Sequence, residues 1–171
     1  MAPVPSLEML DGRAVSWAEI AVLVNINGGV TLPIVGISAI SSEAKIERGE
    51  SRGASGGRVL ARTTGQVTYS GTATFYAFAL ETLKDALSDL ALASGYVNSD
   101  GHVQLSRISF DIIVTHDWVD DAKIYVRKYL GCHIDSESVK DEEGTDAKKI
   151  DVDLNPLRVV SVVNGKEIAL L

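Results

Sequence analysis

The amino-acid sequence predicts a mainly β protein, an antiparallel β-sandwich or barrel with one flanking α-helix. Three observations carry this prediction. Most of the chain alternates apolar and polar residues with the period of two that half-buried strands show. One stretch, 75–94, switches to a helical period. A third stretch, 43–62, is rich in glycine and arginine, follows neither period and is predicted to be a long loop.

The predicted strands are separated by turn residues. Asn27-Gly28-Gly29 and Asn164-Gly165 are typical of hairpins, because Asn and Gly tolerate the positive φ that such turns require. An order of strands with one helix in mid-chain is typical of a sandwich or barrel. The expected strands are 17–26, 30–40, 66–74, 103–118, 122–135 and 150–154, with a closing hairpin over 159–171.

The predicted helix has a clear apolar stripe and two candidate caps. Thr74 is the predicted N-cap, and Gly95 stands where a C-terminal glycine cap belongs. Acidic and basic side chains occupy the opposite side, as expected for a helix that packs on a sheet. The stripe consists of Tyr76, Leu80, Leu83, Leu87 and Leu90.

The second faces of the central strands are not uniformly polar. In the strand 122–135, alternation points Val126 and Leu130 inward and places Tyr125 and Tyr129 on the second face, beside Arg127. A single-layer sheet in water should carry polar residues on that face. Either the helix covers this face or another subunit does, and in the second case Tyr125 and Tyr129 are candidate contacts with that subunit.

The chain of 171 residues fits one domain, 17–171, preceded by an N-terminal arm over 1–16 that contains two prolines. Within this domain, residues 43–62 carry five basic and three acidic residues, whereas 135–153 carry eight acidic and three basic ones. Opposite charges on two such segments favour a contact between subunits. The alternative is that both segments are only solvated. The candidate interface arginines are Arg48, Arg52, Arg58 and Arg62, and the candidate acidic surface or lumen residues are Asp111, Asp151 and Asp153.

Composition and charge exclude several functions. A formal net charge of −7 argues against a protein that grips nucleic acid, because phosphate binding requires a positive surface. The single cysteine excludes an intrachain disulfide and a multi-cysteine metal site. The sequence shows neither a signal peptide nor an apolar run long enough to span a bilayer. We expect a soluble protein that is made in a cytoplasm.

Residues that often build catalytic or metal sites do not combine in this sequence. His133 and Asp135 share a strand face, but two ligands are too few for a closed metal site. Cys132 and His133 are adjacent in a strand and point apart, which does not suit a thiolate–imidazole pair. Asp151 and Asp153 have the first spacing of a calcium loop, but proline occupies the position that requires glycine. We predict no catalytic residue, no metal and no cofactor.

Several local patterns, in this order and spacing, resemble the tail tube proteins of tailed bacteriophages, a class similar to the Hcp tube protein of type VI secretion. The first is the strand start Arg62-Thr-x-Gly-Gln66, and the second is Tyr69-x-Gly-Thr72, which leads into the helix. The resemblance extends from about residue 17 to the end. The remaining patterns are Phe110-Asp-Ile-Ile113, Lys128-x-Leu-Gly-Cys-His-Ile134, Gly144-Thr-Asp-Ala147 and Val163-Asn-Gly-Lys166.

This resemblance implies a structural subunit without an active site. Six copies would form a ring with a continuous β-lined channel, and stacked rings would form the tail tube through which DNA is ejected without specific binding. The segment 43–62 would reach a neighbouring subunit or ring. The implied partners are the sheath, baseplate, tape-measure and tail terminator proteins, and a contractile tail is favoured over a flexible one. The subunit would be made in the host cytoplasm and end in the virion tail.

Two alternatives remain open from the sequence. The chain resembles the tube protein of a type VI-like secretion system as well, since the two classes share a fold. A small-molecule-binding β-barrel is the other alternative, with His116, Trp118 and Tyr125 lining its site. That function requires convergent polar groups or a nucleophile–base pair, and the sequence offers neither.

Overall fold

The computed structural model describes residues 8–10, 13–15, 20–26, 30–52, 59–117, 124–139 and 147–169. These residues form strands, one α-helix and a short 3-10 helix at Leu105–Arg107. In chain order the elements are β1 (Glu8–Leu10), β2 (Arg13–Val15), β3 (Ile20–Ile26), β4 (Val30–Pro33), β5 (Ile37–Arg52), β6 (Val59–Tyr76), α1 (Ala77–Ala93), β7 (Phe110–Asp117), β8 (Ile124–Cys132), β9 (Ser136–Val139), β10 (Lys149–Asp153), β11 (Arg158–Val163) and β12 (Lys166–Ala169).

The strands form two large antiparallel sheets. One sheet has six strands in the order β12-β11-β8-β7-β3-β4, and the other has four in the order β5-β6-β10-β9. β1 and β2 pair with each other as a small hairpin inside the predicted N-terminal arm. The prediction of a mainly β fold with antiparallel sheets and one helix is therefore confirmed. The division into an arm and a domain stays a prediction.

The helix supplies one wall of a single apolar core. Its buried residues recur at helical spacing and are Ala79, Leu80, Leu83, Leu87 and Ala91. They cluster with Phe75 of β6, Phe110 and Ile112 of β7 and Val152 of β10. Full burial of each large apolar side chain stabilises the fold by about 1.5–3 kcal/mol. The helix Ala77–Ala93 confirms the predicted range 75–94 and joins the two sheets through this core.

The two ends of α1 differ in how well the sequence predicts them. The C-terminal prediction is confirmed: Gly95 has φ +73° and follows the C-cap, and the N–H of Tyr96 donates to the carbonyl of Ala91 at 2.9 Å. The N-cap prediction is wrong. The N-cap is Tyr76 without a side-chain cap. The hydroxyl of Thr74 donates to Asp151 on the adjacent strand instead, at 2.5 Å.

The predicted strand 30–40 is two strands that belong to different sheets. β4 pairs with β3, as the predicted hairpin requires, and β5 pairs with β6. Between them, Gly36 adopts φ +131°, and a Cβ at this position would lie 2.8 Å from the Cβ of Ala79. The chain therefore crosses from one sheet to the other in direct contact with α1, where only glycine fits. The turn residues 27–29 lie outside the described part of the chain.

The prediction of a long loop over 43–62 is wrong in its secondary structure. β5 and β6 pair from Ile37↔Phe75 to Arg52↔Val59, so 43–52 and 59–62 are strand residues. The tip, 53–58, lies outside the described residues. The physical reason is that cross-strand backbone hydrogen bonds need no side-chain burial. A strand exposed on both faces therefore lacks the apolar alternation that identifies strands in a sequence.

A bulge reverses the predicted faces of β8. The register pairs Ile112 with Tyr129, so Tyr129 points into the core and is 2% exposed, whereas the prediction placed Val126 and Leu130 inward. Between this pair and the pair Phe110↔Cys132, β8 has one residue more than β7, and Gly131, at φ +65°, lies in this bulge. Beyond the bulge, Cys132 points into the core opposite Phe110. A one-residue change of phase moves side chains to the other face of a sheet.

The remaining strand predictions hold with changed ranges. The predicted strand 103–118 begins only at Phe110, after the 3-10 helix, and 122–135 corresponds to Ile124–Cys132. The strand at 150–154 is β10. The closing hairpin turns at Asn164 and Gly165, both at positive φ.

Candidate functional site

The most prominent surface feature is a projecting two-stranded ribbon, formed by residues 41–52 of β5 and 59–70 of β6 and called the long hairpin below. β10 pairs with β6 only from Asp153↔Thr72 to Lys149↔Tyr76. Among the described strands, β5 alone pairs with residues 59–70. Twelve strand residues extend about 40 Å at 3.3 Å per residue. The long hairpin therefore reaches beyond the sheet that supports it.

The long hairpin carries the candidate arginines that the structure describes. Arg48 and Arg62 are exposed, and Arg62 lies 3.6 Å from Glu50 in an ion pair whose side chains are 63% and 36% exposed. Pairs as exposed as this one contribute about 1 kcal/mol or less, so Arg62 remains available to a stronger partner. Arg52 lies at the end of β5, and Arg58 is outside the described residues.

A row of hydroxyl–carboxylate pairs lies on the four-stranded sheet beside the base of the long hairpin. Thr72 donates to Oδ1 of Asp153 at 3.1 Å, and Ser136 donates to Oδ2 of the same carboxylate at 2.5 Å. The hydrogen bonds from Ser136 and Thr72 hold the pKa of Asp153 below its usual value. Asp151 accepts from Thr74 in the same way. Both aspartates are exposed and place two acidic side chains on this sheet face.

The hydroxyl partners of these carboxylates were not predicted from the sequence. Thr68, Ser70, Thr72 and Thr74 alternate along β6, and alternate strand residues share a face. This period-two pattern of hydroxyls, followed later by Asp151-x-Asp153, was the available signal. A groove of about 530 Å³ lies at the hairpin base and is lined by Glu43, Ser70, Thr72 and Asp153 among others.

The other candidates occupy less exposed positions. Asp111 is half-buried, and its Oδ1 accepts the N–H of Gly131 at 2.8 Å, so it fixes the β8 bulge. Tyr125 is half-buried and accepts hydrogen bonds from Arg127 at 2.8 and 3.2 Å. Tyr129 lies in the core instead of on the predicted interface, because the bulge inverts the face on which it stands.

Open sheet edges are a second candidate surface. β4 and β12 are the terminal strands of the six-stranded sheet. Terminal strands present unpaired backbone N–H and C=O groups that pair with another chain when nothing blocks them. On β12, the side chains of Lys166, Glu167 and Ile168 are exposed. The edge is therefore accessible in the single subunit.

The described residues do not assemble a metal site. They contain no group of three His, Cys, Asp or Glu residues placed to hold a metal ion. Burial, assisted by the charge of Asp111, raises the pKa of Cys132 to about 12, so this thiol is not a nucleophile near neutral pH. The side chains of His116 and Trp118 lie outside the described residues. No described helix combines the length and apolarity needed to cross a membrane.

Comparison with known proteins gives matches of structure alone. No protein-family model matches the chain, and no curated protein matches it. Among solved structures, a protein of the anti-feeding prophage baseplate superposes with a TM-score of 0.60 at 12% identity, over 90% of this chain and 98% of that chain. The SPP1 tail tube gives 0.55 at 14% identity, over 89% and 81%. The chain has the tail tube fold.

A third solved structure with this fold comes from a contractile injection system. A chain in the structure of the PVC sheath/tube terminator superposes with a TM-score of 0.59 at 14% identity, over 89% of this chain and 99% of that chain. The superpositions show a shared fold, and at identities this low they leave function to be argued from surfaces. The tail tube fold predicted from the sequence motifs is confirmed.

Proposed function

We propose that this chain is a structural subunit that self-assembles into stacked, six-membered rings and so forms the tail tube of a phage. The observation that carries the proposal is the tail tube fold with a long charged hairpin projecting from it. A subunit of this kind needs surfaces that bind other copies, and it does not need an active site. The exposed long hairpin, the acidic sheet face and the open edges supply such surfaces.

Ring closure is the first requirement of the proposal. Pairing β12 of one copy with β4 of the next would continue the six-stranded sheet around the ring and remove both edges. The outer face of this sheet carries Ile113, Val126 and Leu130, which are only half-buried in the single subunit. Apolar residues on such a face are stabilised when a neighbouring copy covers them.

Stacking is the second requirement, and the charges of the long hairpin suit it. Arg48 and Arg62 are exposed and can pair with the carboxylates of Asp151 and Asp153 on another copy. Arg52 and Arg58 stay candidates for the same contact. Charge complementarity of this kind sets partner and register. The net charge of −7 suits a lumen through which DNA passes without binding. The sheath, baseplate, tape-measure and tail terminator proteins would be the partners, and a virion tail the destination.

A contractile injection system is the second candidate function. The superposition on proteins of the anti-feeding prophage and of the PVC system favours it. The subunit would then form the same kind of tube, as in a type VI-like system, and the tube would carry a different cargo. A small-molecule-binding barrel has less support, because Phe75, Phe110 and Leu83 fill the interior and are fully buried.

Negative-stain electron microscopy of the purified full chain tests the assembly. We expect rings at low ionic strength and short tubes as the protein concentration rises, because stacking adds ionic contacts to backbone pairing. Size-exclusion chromatography with light scattering gives the number of copies in a ring. Monomers at every concentration and salt condition would refute the proposal.

A further inference from the structure

A groove between the long hairpin and the six-stranded sheet contains an arginine without a counter-ion. The groove has a volume of about 290 Å³ and is lined on one side by Ala44 and Tyr69 and on the other by Arg127, Ser161 and Ile168. Arg127 is half-buried, and its described partners are tyrosine side chains. Arginines removed from water normally have a carboxylate nearby, since desolvation of a lone charge is costly. No carboxylate of the described chain is in contact with this guanidinium.

Arg127 can offer only donors to a ligand, because a guanidinium has five N–H groups and no acceptor. Its Nε and Nη2 donate to the hydroxyl of Tyr125, and its side chain also hydrogen-bonds Tyr129. The hydroxyl of Tyr125 lies 3.1 Å from Oγ of Ser161, and either oxygen can be the donor in that contact. These contacts leave part of the guanidinium for a ligand, and this side of the groove therefore suits an oxyanion.

The opposite wall supplies an independent sign of a missing acceptor. The hydroxyl of Tyr69 is buried and has no hydrogen-bond partner in the described chain. A buried hydroxyl without a partner costs about 1–3 kcal/mol, so such groups are rare in folded proteins. Tyr69 lines the same groove as Arg127. An acceptor bound in the groove would satisfy both residues at once.

We propose that this groove is an oxyanion site that takes one carboxylate or phosphate group between Arg127 and Tyr69. The fork of the guanidinium suits two oxygens of one planar or tetrahedral anion. Ala44 and Ile168 line the remaining sides of the groove. The group belongs either to a free anion or to an acidic side chain of a second copy, and the second source rests on the assembly proposed above.

A titration of the full-length subunit with sodium acetate, and separately with sodium phosphate, tests the site without requiring assembly. Thermal stability is followed at constant ionic strength, with sodium chloride as the reference salt. We expect both anions to raise Tm and Arg127→Gln to abolish the response. Arg158→Gln removes the same charge from an exposed position on β11 and should respond like the parent. A response equal in Arg127→Gln and the parent would overturn the proposal, as would no response in the parent.

Tyr69→Phe provides a second test of the site in case Arg127→Gln does not fold. Removing a buried hydroxyl without a partner should leave the anion-free protein at least as stable. The apparent affinity for acetate should fall about tenfold, the usual effect of one hydrogen bond to a charged group. An unchanged affinity in a folded Tyr69→Phe variant would count against the site.

The same titration on assembled rings distinguishes a free anion from an acidic side chain of a second copy. If a second copy supplies the carboxylate, rings give no response to acetate and Arg127→Gln weakens ring formation. If a free anion occupies the groove, rings respond like the subunit and Arg127→Gln assembles normally. Monomers in the microscope together with an Arg127-dependent acetate response would refute the tube and support the site.

Discussion

At the scale of single residues, Gly131 decides which side chains of β8 enter the core. Its φ of +65° is a conformation that other residues rarely adopt, and its N–H is held by the carboxylate of Asp111. The extra residue lets both Tyr129 and Cys132, three positions apart, point inward. Regular alternation would place these two side chains on opposite faces.

Gly131→Ala should therefore destabilise the subunit more than substitution of a glycine whose surroundings are open. A Cβ at this position would lie 2.8 Å from Cδ1 of Leu157, in addition to the cost of the positive φ. We expect a loss of about 2–3 kcal/mol in unfolding free energy, from strain of about 1 kcal/mol plus the displaced side chain. Chemical denaturation measures it.

Gly165→Ala is the matched control. Gly165 also has a positive φ, of +75°, but a Cβ there would meet nothing within 4 Å. It should therefore lose only about 1 kcal/mol. Equal losses for the two variants would show that Leu157 moves aside freely and that contact at the bulge has no energetic role.

At the scale of elements, one carboxylate ties three strands of the four-stranded sheet together. Asp153 of β10 accepts from Thr72 of β6 through one oxygen and from Ser136 of β9 through the other. Hydrogen bonds to the ionised form lower the pKa of Asp153. A lowered pKa in the folded state means that the contribution to stability is present above the unfolded pKa and is lost as pH falls through the folded pKa.

Asp153→Asn should consequently lower Tm at neutral pH and have a diminishing effect in acid. The difference from the parent should disappear once the pH is below the folded pKa of Asp153, because both proteins then carry a neutral group at position 153. Asp89→Asn, an exposed position on α1, is the control and should show little difference at any pH. A difference for Asp153→Asn that grows in acid would contradict this account. Thermal melts by circular dichroism across the pH range provide the measurement.

The elements also show what a single sequence can and cannot predict. The helix Ala77–Ala93 was predictable because its buried stripe and Gly95 are both local signals. The long hairpin was not, since its strands are defined by pairing between residues far apart in sequence and not by burial. The break inside the predicted strand 30–40 was not predicted, although Pro33 and Gly36 both signal an interruption.

At the scale of the whole molecule, charge is unevenly distributed. The chain carries a net charge of −7, yet residues 43–62 contain five basic and three acidic residues. The fold was predictable from the order of strands, helix and local motifs. The surfaces were predicted only in part: Asp151 and Asp153 are exposed as expected, but their hydroxyl partners and the groove at Arg127 depend on contacts between distant strands.

Reversing the charge of the long hairpin should block assembly without unfolding the subunit. The triple variant Arg48→Glu, Arg52→Glu and Arg58→Glu should keep the circular dichroism spectrum of the parent, because Arg48 is exposed and contributes little to the core. Polymerisation should fail, since the hairpin would then repel the acidic face of another copy. Light scattering and electron microscopy report the outcome.

A second triple variant controls for net charge. Arg107→Glu, Lys148→Glu and Arg158→Glu make the same change in charge at exposed positions outside the long hairpin and outside β10. This protein should still polymerise. Tubes formed normally by the hairpin variant would rule out an ionic role for that segment.

β6 is one continuous strand, and its length sets how far the long hairpin extends from the core. A single strand runs from the tip region at Val59 through the four-stranded sheet to Tyr76, where α1 begins. The distance between the tip and the core is thus set by residue number, at about 3.3 Å for each residue. Removing one residue from each arm would turn the far faces over, whereas removing two would shorten the reach by about 7 Å and keep them. The reach of the long hairpin can therefore change in steps of two residues without turning its faces over.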